Sequence, residues 1–130
     1  MDESNKLVDQ DQVEEALQTV TAAFPRFADW EYSSERNEAH PGFAVWGEFV
    51  MRDDDEGDGY VPKYRFYVTF DMVSGKWQGT FSIGKHAYYW SSADYGDAYL
   101  VNTGAATDTL PEAIEVLKAR TRELLEAVTG

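Results

Sequence analysis

The sequence predicts an α+β fold: a meander of four to five antiparallel strands, with an N-terminal and a C-terminal helix packed on one face of the sheet. Three observations carry this expectation. Apolar residues recur at spacings of three and four near both ends of the chain, whereas in the middle they alternate. The alternating runs are joined by connections too short for parallel crossovers. Each helical segment has only one apolar face, so both belong on the same side of the sheet.

The first helix spans about Asp9 to Phe24, where Val13, Ala16, Leu17, Val20 and Phe24 form the apolar stripe. Asp9 and Asp11 suit its start, and Pro25 marks its stop. "FADWEYS" then alternates, with Ala28, Trp30 and Tyr32 on one side and Asp29 and Glu31 on the other. His40-Pro41-Gly42 is turn chemistry.

"FAVWGEFVMR" (43–52) is a strand apolar on both faces apart from Glu48. In "KYRFYVTFDM" (63–72), Tyr64, Phe66, Val68, Phe70 and Met72 point one way, and Lys63, Arg65, Tyr67, Thr69 and Asp71 the other. "VSGK" supplies a hairpin turn. "KWQGTFSIG" (76–84) follows, with Trp77, Gly79, Phe81 and Ile83 inward. The outward face, with Lys63, Arg65, Tyr67, Thr69, Gln78, Thr80 and Ser82, reads as solvated. "AYLVN" resumes a strand near the end of the sheet.

Thr109-Leu-Pro-Glu112 has the spacing of a capping box, with Pro111 in the first turn. It opens a helix whose predicted buried stripe is Leu110, Ile114, Leu117, Thr121, Leu124, Leu125 and Val128. Lys118, Arg120 and Arg122 lie toward its negative end. No repeat or linker divides the chain, so residues 1–130 read as one domain with residues 1–8 flexible.

Composition narrows the function classes. The chain has 43% hydrophobic and 15% aromatic residues, enough for a real core, and no cysteine. Disulfides, thiolate catalysis and cysteine-ligated zinc are therefore excluded. The start is acidic and polar, unlike a secretory signal, and no run approaches the ~20 apolar residues of a membrane span. A cytoplasmic protein is the expectation. Net charge is −13, and residues 1–60 hold 16 acids against 4 bases. Such a chain repels nucleic acid and anionic membranes, so the expected partner is a protein with a basic surface.

No stretch carries a catalytic motif or implies a cofactor. "RDDDEGDGY" places Asp54, Glu56, Asp58 and Gly59 like the first half of a calcium loop, but Arg65 stands where the closing bidentate acid belongs. Neither His40 nor His86 has the spacing of a metal site. His86, Asp94 and Ser91 or Ser92 lack the scaffold of a nucleophilic triad. Glu48 is the one acid inside an apolar strand, where burial would raise its pKa.

"HAYYWSSADYGDAY" (86–99) combines tyrosine and tryptophan with serine, glycine and aspartate, a composition suited to contact surfaces. A tyrosine-rich core strand is the alternative. The leading expectation is a small non-enzymatic interaction module of inhibitor, immunity or adaptor type. Its candidate partner-binding residues are Tyr88, Tyr89, Trp90, Asp94, Tyr95 and Asp97, with Asp53, Asp54, Asp55, Glu56 and Asp58. Two alternatives remain. One is a small-molecule module with a pocket between sheet and helices, or at a mouth formed by Trp77, Tyr88, Trp90 and Tyr95. The other is a nucleic-acid mimic that blocks a DNA- or RNA-binding protein.

Overall fold

The computed structural model describes residues 9–34, 42–52, 63–84 and 97–130. Helix α1 (Gln10–Ala23) is followed by β1 (Ala28–Ser33), β2 (Phe43–Arg52), β3 (Lys63–Val73), β4 (Lys76–Gly84), β5 (Asp97–Asn102) and helix α2 (Leu110–Thr129). The five strands form one sheet in the order β1-β2-β3-β4-β5, every pair antiparallel. The predicted meander with both helices against it is therefore the observed fold. No helix among the described residues is long and apolar enough to cross a membrane.

Local chemistry explains the element ends. The Asp9 side chain accepts from the Gln12 N–H at 3.0 Å, and the Asp9 N–H donates to Gln12 Oε1 at 3.1 Å. Thr109 and Glu112 form the same reciprocal pair at the start of α2, both bonds 3.2 Å. The β3–β4 turn has Ser74 at φ 57° and Gly75 at φ 79°, the left-handed pair that matches strand twist in a two-residue hairpin.

The core lies between the helices and one face of the sheet. Val13, Ala16 and Val20 of α1 and Leu110, Ala113, Ile114 and Leu117 of α2 pack over Phe43, Val45, Val68 and Phe70. Gly79 is required here, because a Cβ at that position would fall 2.5 Å from the Phe70 ring. Lys118 does not serve its own helix's end. Its ammonium donates to the Ala23 carbonyl at 2.6 Å and lies 4.9 Å from the Phe24 ring centre, tying the end of α1 to α2.

Two expectations change. The outward sheet face is not uniformly solvated: Ser82 is buried between its cross-strand neighbours Tyr67 and Tyr99, while Arg65, Tyr67, Thr69 and Thr80 are half-buried. Large side chains on adjacent strands shade the small ones between them. The apolar stripe of α2 is also buried only through Leu117. Thr121 and Leu124 are half-buried, whereas Leu125 is 53% and Val128 73% exposed. The basic residues fall in the middle of α2 and none in its last turn.

Candidate functional site

Helix lengths account for this exposed stretch. The 14 residues of α1 extend about 21 Å, whereas the 10 residues of β2 extend about 33 Å. With 20 residues, α2 reaches about 30 Å and continues past the end of its partner. Among the described residues, the sheet face nearest Arg52, Lys63 and Gly84 is thus roofed by α2 from one side only.

A groove of about 560 Å³ results. Its floor is Phe49, Phe66, Val68, Phe81 and Leu100, one or more from each of β2 to β5. Phe24 and Phe27 close the side toward α1, and Leu117, Thr121, Leu124, Leu125 and Val128 of α2 form the roof. Aromatic contacts set the floor. Phe66 and Phe81 stack with ring centres 5.7 Å apart, and Phe27 lies 5.8 Å from both Phe24 and Phe49. Leu100 enters through a register slip: Val101 pairs with Phe81 and Tyr99 with Ser82, which leaves Leu100 unmatched between them. Among the described residues, the charged ones lining the groove are Lys118 and Arg122. Outside the lining, the Arg26 guanidinium sits 5.6 Å from the Phe49 ring centre.

The opposite sheet face holds a second cluster. Arg65 Nε stands 3.6 Å from Glu48 Oε1, with Glu48 about one-fifth exposed. Burial raises the Glu48 pKa above its usual value of 4.5; a hydrogen bond with Asp29 adds to this, and the Arg65 charge partly opposes it. Asp29 reaches Glu48 because the β1–β2 register shifts between Ala28 and Glu31, where Asp29 adopts φ 55°. Among the described residues no group of three or more His, Asp or Glu could hold a metal ion.

Most of the sequence-predicted site lies outside the described residues: Asp53, Asp54, Asp55, Glu56, Asp58, Tyr88, Tyr89, Trp90, Asp94 and Tyr95. Asp97 opens β5. Trp77 is in the described part, at the hairpin end of β4, opposite the Gly84 end from which the chain leads to Tyr88. There it lines a separate hollow of about 470 Å³ with Phe43, Met72, Glu15 and Asp108. Sequence patterning placed Phe66, Val68 and Phe81 on the inward face but did not show that the described helices cover only part of it. The available signal was the difference between two helix lengths. Comparison with family models, curated proteins and solved structures finds no match.

Proposed function

We propose that this protein is a non-enzymatic binding module that takes the apolar part of a small ligand into the groove between the sheet and the second half of α2. The observation that carries this reading is the one-sided roof over Phe49, Phe66 and Phe81, with exposed Leu125 and Val128 at its lip. The groove volume lies in the range of small-ligand sites, roughly 300–1,000 Å³, and its lining combines apolar side chains with a few polar groups, as such sites do. Leaving this much aromatic surface bare costs solvation free energy that a bound apolar group would recover.

Nile red, an uncharged dye whose emission shifts in apolar surroundings, tests the reading. The wild-type protein should bind it at a single saturable site. Leu100→Glu or Val128→Glu, both at exposed positions, should weaken uptake at least about tenfold by placing a charge in the groove. No saturable uptake, or uptake indifferent to both substitutions, would remove the groove from consideration.

A second reading, a module that binds a basic protein, is favoured by the outer edge of β5. No described strand pairs with that edge, and Tyr99 on it is 75% exposed. Such an edge can accept another extended chain. Salt-sensitive capture of a basic partner that is lost in Tyr99→Lys would support this reading; capture unaffected by that substitution would count against it.

A further inference from the structure

We infer that the groove selects an amphiphile with an anionic head, namely a free long-chain carboxylate, its acyl chain lying on Phe49, Phe66 and Phe81 and its carboxylate meeting Arg122. The inference rests on the groove being a ligand site, and it adds the chemistry of the occupant.

Charge complementarity carries it. Acids outnumber bases 24 to 11 in the chain, yet among the described residues the groove lining holds two cations and no carboxylate. Their placement on α2 is not diffuse. Lys118 and Arg122 are four residues apart, so they lie one turn from each other on the groove side of the helix. Like charges at that spacing repel, and a bound anion would relieve the repulsion. The two cations differ in availability. Lys118 is committed to the Ala23 carbonyl and the Phe24 ring, and it contributes a fixed positive field. Arg122 is exposed and forms no ion pair among the described residues, although Glu126 follows it by one turn. A guanidinium can grip a carboxylate through two parallel N–H···O bonds.

The remaining surfaces argue for a chain-like body in place of a compact one. The floor runs across four strands, from Phe49 on β2 to Leu100 on β5, with Val128 and Leu125 continuing the apolar surface at the helix end. An unbranched acyl chain can follow such a trough. Each methylene it buries adds about 0.8 kcal/mol, so affinity should rise roughly fourfold per methylene until the trough is filled.

Isothermal titration of the full chain with decanoate, dodecanoate, dodecanol and dodecylamine, all below their micellar concentrations, tests the proposal, with Nile red run in parallel. Dodecanoate should bind one to one and more tightly than decanoate, with dodecanol weaker and dodecylamine weakest. Arg122→Glu should weaken dodecanoate roughly three- to tenfold more than it weakens dodecanol, and Arg122→Lys should fall between. Equal binding of acid and alcohol, or an Arg122→Glu variant that binds dodecanoate normally, would overturn the head-group assignment while the groove stands. Failure of every probe, Nile red included, would overturn both readings. Vesicles of phosphatidylglycerol engaging the protein at lower concentration than the free acid would also overturn the proposal, in favour of a membrane surface.

Discussion

Glu48 shows how one side chain acquires a pH dependence from a strand position. It interrupts an otherwise apolar run, and the sheet half-buries it beside Asp29 faster than Arg65 can compensate. Folded Glu48 therefore holds its proton to higher pH than the unfolded chain does. Its contribution to stability is fully present below the usual value of 4.5 and is lost as pH rises through the raised folded value. Glu48→Gln cannot ionise and escapes that loss. Urea unfolding of both proteins at pH 4 and pH 7 should show the variant gaining on the wild type at the higher pH. Wild type gaining instead would mean that attraction to Arg65 outweighs burial. Sequence alone identified Glu48 as the residue to watch, because polarity inside an apolar run is visible. Its partner Asp29 was not visible as such, since a register shift and a left-handed backbone bring the two carboxyls together.

At the scale of elements, periodicity reported the type of each helix and strand faithfully but not the depth at which it is buried. The stripe of α2 is continuous from Leu110 to Val128, and nothing in its spacing marks the change from packed to overhanging. That change depends on where α1 stops, a comparison between elements far apart in the chain. The energetic consequence is direct. Leu117 is almost fully buried, so Leu117→Ala should cost about 2–5 kcal/mol of stability. Val128→Ala, at a position 73% exposed, should stay within about 0.5 kcal/mol of wild type in the same urea titration. Equal losses at the two positions would show that the last turns of α2 are packed, and would close the groove. The capping boxes were fully legible because both partners of each lie within four consecutive residues. The groove was not, because its lining draws on six segments of chain between Phe24 and Val128 that only the tertiary fold assembles.

Charge becomes informative only over the whole molecule. Asp11, Glu14 and Glu15 are exposed on α1, and Asp29 and Glu31 on β1, the strand that runs on from it. The basic residues Lys118, Arg120 and Arg122 lie on α2, interspersed with the exposed acids Glu112, Glu115, Glu123 and Glu126. The fold thus leaves the acids of α1 and β1 without bases on those elements, whereas α2 is close to balance and turns Lys118 and Arg122 toward the groove. Composition supplied the net charge of −13 but not this distribution, which depends on α2 packing on β4 and β5 while α1 packs beside β1. Acids crowded on one flank repel each other in the folded state more than in an expanded chain, and salt screens that repulsion over a Debye length of about 8 Å at physiological strength. Raising sodium chloride from 20 to 300 mM at pH 7 should therefore raise the melting temperature by roughly 2–6 °C, corresponding to about 1 kcal/mol for a domain of this size. The same salt should weaken carboxylate binding at Arg122 and leave Nile red uptake unchanged, because only the first depends on charge. A melting temperature that falls with salt would mean that attractions between the two flanks outweigh the repulsion within the acidic one.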